Sequence, residues 1–245
     1  MEFKVIIPSH KRAKNVLTTQ AVANACLCVE EAQAEEYRKH NPGIEIIVHP
    51  NEIVGLTAKR QWIIENFPNS FQIDDDIKSI QRLYTEKGEE TKVDPETAYQ
   101  IIQQTGNTAK LLGAYIFGFN HVGNPSNYDP LKPFKITGYV NTGAFGIIEG
   151  HKLYFDTRMK VVEDYQLSCV NMYYHRICFL DNRFTVIGMK TFANPGGCSD
   201  YRTEEQEKTD TLMLRKVYGE VIELKQDTAV AKRKHQYQRT LKPPF

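Results

Sequence analysis

The first 73 residues constrain this chain most, because they alternate between two kinds of segment. A continuous apolar strand reads over Phe3–Pro8, helical sequence over Asn15–His40 and a strand over Ile44–Val48. A helix follows over Gly55–Asn66 and a strand over Ser70–Ile73. Asn41-Pro42-Gly43 stops the first helix and Pro68-Asn69 the second. Strands that alternate with helices run parallel, because each crossover helix returns the chain to the end where the last strand began. Ligands bind beyond the carboxyl ends of such strands. Two polar loops, Ser9–Arg12 and Asp74–Asp76, fall at those ends and therefore share one rim.

The second loop carries three acids directly after the apolar stretch Phe71-Gln72-Ile73. Adjacent carboxylates repel, and each raises the pKa of its neighbours. A single Asp after a strand is a common helix N-cap, and Ile77–Leu83 reads as the turn it would cap. Three in succession exceed what one cap uses. They point to a carboxylate site for Mn²⁺ or Mg²⁺, held by oxygen ligands and bridging diphosphate oxygens.

Three further segments carry polar chemistry. Glu163-Asp164 follows Val161-Val162 and opens a helix to His175. Acids suit a first helical turn because of the macrodipole; the alternative is a general base for an acceptor hydroxyl. Pro8-Ser9-His10-Lys11-Arg12 reads either as a solvated basic loop or as a nucleotide-binding loop whose Lys11 and Arg12 meet phosphate. Lys59 and Arg60 are either exposed at a helix start, or Arg60 turns inward toward Asp74 or a nucleotide.

The second half is more mixed. Asp94-Pro95 opens a helix to about Thr105, with Asp as N-cap and Pro in the first turn. Strands read over Leu111–Phe119 and Thr142–Ile148, a pair of short strands within Ile177–Ile187, and a helix over Thr203–Lys225. The loops Gly123–Pro133 and Asn194–Arg202 are long enough to act as lids or DNA contacts, and Lys190 and Arg202 could hold a diphosphate. The expected organisation is one α/β domain over 1–230, with a nucleotide half in 1–80 and an acceptor half in 106–200. A basic tail, 231–245, holds Lys232, Arg233, Lys234, Arg239 and Lys242 and no acid. With Tyr237 interleaved, it suits phosphate contact and base stacking; a solvated terminus is the alternative.

No apolar run reaches the roughly 20 residues of a membrane helix, and the start is too short and wrongly flanked for a signal peptide. The expectation is a cytoplasmic protein with no membrane partner, in the host cytoplasm if the chain is viral. The five cysteines are odd in number and form no zinc pattern. Cys26 and Cys28, placed in a helix, would point in different directions. Nothing in the sequence sets the oligomeric state.

The ordered motifs Val5…Pro8-Ser9-His10-Lys11-Arg12, Gly55…Lys59-Arg60, Ile73-Asp74-Asp75-Asp76, Asn141-Thr142-Gly143-Ala144-Phe145-Gly146 and Val162-Glu163-Asp164 resemble those of GT-A fold glycosyltransferases over about residues 3–190. The short domain and its Pro-Ser-x-Lys-Arg opening look like the TET/JBP-associated glycosyltransferases of phage DNA modification. The resemblance implies a GT-A-like, Rossmann-type mixed sheet flanked by helices. It implies a nucleotide-sugar donor, a UDP-sugar, bound by Pro8, Ser9, His10, Lys11, Arg12, Lys59, Arg60, Asp74, Asp75, Gly143, Lys190 and Arg202. Asp74 and Asp76 match the metal-binding DxD positions, and Asp75 would face the donor's ribose or sugar. Asp164, beside Glu163, matches the catalytic base of inverting members. His175 and His235 are the candidates for a late metal-binding His. The favoured acceptor is a 5-hydroxymethylpyrimidine in DNA, with Lys232, Arg233, Lys234, Tyr237 and Arg239 on the nucleic acid. The alternatives are a polysaccharide, lipid-linked or small-molecule acceptor, and a catalytically silent nucleic-acid-binding module.

Overall fold

In the computed structural model, which describes residues 1–86, 88–189, 202–224 and 239–242, one mixed sheet of nine strands organises the chain. Strands β1 (Lys4–Pro8), β2 (Ala25–Glu30), β3 (Ile46–His49) and β4 (Ser70–Ile73) are parallel, in the order β3-β2-β1-β4. Strands β5 (Ile77–Arg82), β6 (Ile116–Asn120), β7 (Phe134–Lys135), β8 (Ala144–Ile147) and β9 (Phe179–Gly188) extend it as β4-β8-β6-β9-β5, with β7 also on β9. β8 is antiparallel to both β4 and β6, so it is the seam between the halves. A separate antiparallel ribbon joins β10 (Ile222–Leu224) to β11 (Arg239–Leu241).

Alternating strand residues sort the helices onto two faces. Val5, Ile7, Leu27, Val29, Phe71 and Ile73 cluster with Tyr37 of α1 (Ala34–His40) and Ile102 of α3 (Pro95–Leu111). Ile6, Cys26, Cys28 and Ile47 meet Ile63 of α2 (Leu56–Asn66) on the other face. There, too, Phe145 and Ile147 meet Leu167 and Val170 of α4 (Glu163–Tyr174). The final helix, α5 (Glu204–Tyr218), packs through Leu214 against Met159, Val162 and Ile222. Asp94 caps α3 as its sequence predicts, accepting a hydrogen bond from Thr97 N at 2.9 Å, with Pro95 in the first turn.

Several expectations are corrected. Asn15–His40 is not one helix, because Ala25-Cys26-Leu27-Cys28-Val29 forms β2, buried between β1 and β3. A five-residue apolar run gains more from burial on both faces of a sheet than an Ala-rich helix would from one stripe. Cys26 and Cys28 consequently share a face. The segment expected as a capped turn, Ile77–Leu83, instead holds the strand β5 (Ile77–Arg82), and the two short strands expected within Ile177–Ile187 are the single strand β9. The last helix stops at Tyr218, where Gly219 adopts φ +65°, and β10 follows. Among the described residues, no helix is long and apolar enough to cross a membrane.

Gly146 of β8 faces Phe71 and Phe117 in register, and a Cβ there would come 2.0 Å from the Phe117 ring. That ring packs 5.0 Å from Phe3 and 5.7 Å from Phe71. Gly146→Ala should therefore cost about 1–3 kcal/mol as overpacking, lowering Tm by roughly 2–4 °C per kcal/mol. An unchanged melting temperature would contradict this seating of Phe117.

Candidate active site

β1 leads one way, to β2 and β3, while β4 lies on the other side of β1. The crevice between the carboxyl ends of β1 and β4 is the ligand position of such a sheet. Ser9 follows one strand and Asp74 the other. The acid run is pinned there by its backbone. Asp74 N donates to Gly143 O at 3.0 Å, and Thr18 Oγ1 donates to Asp74 O at 2.5 Å. Leu17 N donates to Asp75 O and Met189 N to Asp76 O. Thr18 Oγ1 also accepts from Ile77 N, so the run passes straight into β5. Gly143 leaves room for Asp74, since a Cβ there would come within 3.3 Å of Asp74 Oδ2.

The Ser9–Arg12 loop closes on the middle acid. Ser9 Oγ donates to Asp75 Oδ2 at 2.5 Å and Arg12 Nη1 to Asp75 Oδ1 at 2.6 Å. The Tyr37 hydroxyl shares a 2.7 Å hydrogen bond with Ser9 Oγ and accepts from Arg12 N. Lys59 Nζ donates to Ser9 O. His10 turns instead toward Gln33 and Glu30, and Lys11 is exposed with φ +55°.

Arg60 is 1% exposed and reaches both halves of the site. Its Nη2 donates to Asp74 Oδ1 at 2.8 Å, its Nε lies 3.8 Å from Glu163 Oε1, and its guanidinium packs on the Phe145 ring. Burial pushes the Asp74 carboxyl up to about 6; Arg60 opposes the rise, and Asp76 and Asp75 add to it. Water still reaches Asp74 from the rim, where its side chain is 38% exposed. Burial, then Asp164, pushes Glu163 up to about 7, again against Arg60. Glu163 is thus an interior partner of Arg60, with Thr142 Oγ1 3.5 Å away. Asp164 is the half-buried acid of the pair. Its Oδ2 accepts from the Tyr139 hydroxyl and its Oδ1 from Tyr165 N at 2.8 Å.

The three acids differ in what they can offer a cation. Asp75 has both oxygens engaged, and Asp74 gives Oδ1 to Arg60. Asp76 is half-buried, 3.9 Å from Arg12 Nη1, and its pKa is raised by burial and by Asp75. Among the described residues, no three His, Cys, Asp or Glu side chains converge as a metal cage. This donor set fits an ion that takes one or two carboxylates and completes its shell from substrate phosphate and water.

The structure thus brings together Pro8, Ser9, Arg12, Lys59, Arg60, Asp74, Asp75, Asp76 and Gly143, and joins Glu163 to them through Arg60. Arg202 lies just before α5 and is half-buried. Arg239, expected on nucleic acid, turns inward: its side chain is 7% exposed, against Glu207, Thr211 and the Tyr165 ring. His175, a candidate metal ligand, stacks 4.3 Å from Tyr115 and accepts from Lys152 N. Lys190, Lys232, Arg233, Lys234, His235 and Tyr237 lie outside the described residues. Sequence reasoning missed Thr18, Tyr37, Tyr139 and Tyr165. Only Tyr37 carries a signal, as the one aromatic in the charged helix Ala34–His40.

Arg60→Met would leave Asp74 and Glu163 without their shared cation. Removing one partner of a buried pair costs several kcal/mol, here about 3 kcal/mol because Asp74 is partly solvated. Urea unfolding should show that loss as a lower midpoint at unchanged slope; an unchanged midpoint would contradict the bridge.

No curated protein matches the chain by sequence. Among solved structures, S. aureus TarS is similar at 13% identity with a TM-score of 0.45, over 88% of this chain and 40% of that one. A TarS structure of residues 1–349 gives 13%, 0.44, 86% and 65%. The chain therefore spans under two thirds of either. The family model described as TET-associated glycosyltransferase matches residues 3–197. Among the described residues, that stretch holds each one hydrogen-bonded to the side chains of Asp74, Asp75 and Asp164, and the chain belongs to the TET-associated glycosyltransferases.

Proposed function

We propose that this glycosyltransferase moves a sugar from a UDP-sugar to the hydroxyl of a 5-hydroxymethylpyrimidine in DNA, with inversion and with Mn²⁺ or Mg²⁺. The observation that carries the reading is the Arg60 bridge, which sets the acid run of the donor rim beside the Glu163-Asp164 helix start. Asp76 would hold the metal with the free oxygen of Asp74, and the bound ion would stabilise the charge of the departing diphosphate. Ser9, Arg12 and Asp75 form the wall for the nucleoside. Asp164 accepts the acceptor's proton as its oxygen attacks the anomeric carbon and the bond from that carbon to the diphosphate oxygen breaks. The TET-associated name of the family supports the DNA acceptor. A base within a duplex would be flipped out to reach Asp164. A polysaccharide or small-molecule acceptor would use the same donor chemistry.

UDP with Mn²⁺ at 100 times its Kd should stabilise the protein by about 2.7 kcal/mol, a rise in Tm of roughly 5–10 °C. Asp76→Ala should remove the shift, whereas Asp164→Asn should keep it and lose transfer. No shift with any nucleotide–metal pair would count against the donor site. Nucleoside mass spectrometry of hydroxymethylcytosine DNA, incubated with a panel of UDP-sugars, should show a hexose or pentose mass gain. Donor breakdown with no gain on DNA would favour another acceptor.

A further inference from the structure

A carboxylate that must take a proton from one direction has to be held against rotation about its last side-chain bond, a torsion that is intrinsically broad. Asp164 is held on both oxygens, by Tyr165 N on Oδ1 and by the Tyr139 hydroxyl on Oδ2. The Tyr139 ring lies 4.8 Å from the Tyr165 ring and 5.5 Å from His121, which meets it edge on. Tyr165 is in turn fixed from the C-terminal ribbon. The Arg239 guanidinium sits 4.8 Å from its ring centroid, and the Tyr165 hydroxyl donates to Arg239 O at 3.1 Å. Arg239 is anchored on α5 by Thr211 at 2.7 Å and Glu207 at 3.4 Å.

The turn before Asp164 is held from the same helix. Asp210, 1% exposed, accepts from Lys160 N at 2.7 Å and Val161 N at 2.9 Å. Thr57 Oγ1 of α2 also donates to Met159 O at 2.8 Å. A stack of Arg239, Tyr165 and Tyr139 therefore ends on the carboxylate, with cation–π and tilted ring contacts along its length. Tyr139, Asp164 and Arg239 come from three distant parts of the chain, and Arg239 lies beyond residue 197, where the family match ends.

We infer that Tyr139 is the positioning residue that aims Asp164, and that Arg239 holds Tyr139 in place through Tyr165. The C-terminal ribbon is then a working part of the acceptor half. This rests on Asp164 being the base.

The test is nucleotide release from UDP-sugars with Mn²⁺, with and without hydroxymethylcytosine DNA, together with the ¹³Cζ resonance of Tyr139 in tyrosine-labelled protein. Tyr139→Phe keeps the ring stack and removes only the hydroxyl. It should lower kcat roughly tenfold to a hundredfold, part of what general base catalysis supplies, at unchanged donor KM and with Tm lowered by only a few degrees for the lost hydrogen bond. Arg239→Gln should lower kcat in the same direction and move the Tyr139 resonance. Asp164→Asn should abolish turnover and also move that resonance, a readout that needs no turnover. Tyr139→Phe working at the wild-type rate while Asp164→Asn is inactive would overturn the inference and spare the base. Full activity of Asp164→Asn would remove the base, and the inference with it. A Tyr139 resonance unmoved by Asp164→Asn or by Arg239→Gln would also overturn it.

Discussion

The Arg60 guanidinium lies between the carboxylates of Asp74 and Glu163 and against the ring of Phe145, with 1% of the residue exposed. Burying a charge costs several kcal/mol unless partners replace its water. Those partners come from the end of β4 and the start of α4, and the ring beneath comes from β8, the seam strand. The helix that carries Arg60 supplies the cation because its first turn is polar inside: Thr57, Lys59 and Arg60 are buried, and Ile63 and Ile64 take over one turn later. One side chain thereby ties the parallel half of the sheet to the mixed half at the point where the two candidate chemistries meet.

The rest of the rim follows from the sheet. Because β1 and β4 are neighbours whose connections leave in opposite directions, the loops after them face one crevice. The backbone of the acid run is then fixed by hydrogen bonds with the segments at Thr18, Gly143 and Met189. Its side chains stay available for different tasks: one toward Arg60, one into the Ser9–Arg12 network, one toward the rim. Groups held in place before substrate arrives need no reorganisation during the reaction, and fixed dipoles gain most from that.

The parallel order of β1, β3 and β4 was legible because short apolar runs bounded by Gly, Pro and Asn carry a local signal. Asp74–Asp76, Arg60, Ser9 and Asp164 were legible as residue types in an ordered set of motifs. β2 was hidden because Ala, Cys and Leu suit either a helix or a buried strand, and the neighbouring strands decide between them. Tyr139, Tyr165 and Thr18 gave no sign, because the side chain of each is placed by a residue far away in sequence. The inward turn of Arg239 was hidden for the same reason: a basic residue in a basic tail reads as solvent-facing until Glu207, Thr211 and Tyr165 are brought to it.

On the proposed function, one site bridged by Arg60 holds the donor at Asp74–Asp76 and presents its reacting carbon to Asp164. A crystal structure of the protein with Mn²⁺ and an unreactive UDP-sugar analogue would locate nucleoside, metal and reacting carbon. The nucleoside should lie against Ser9, Arg12 and Asp75, the metal and diphosphate at Asp76, and the anomeric carbon on the side of Asp164. A nucleotide bound elsewhere, or a sugar directed away from Asp164, would contradict the proposed function.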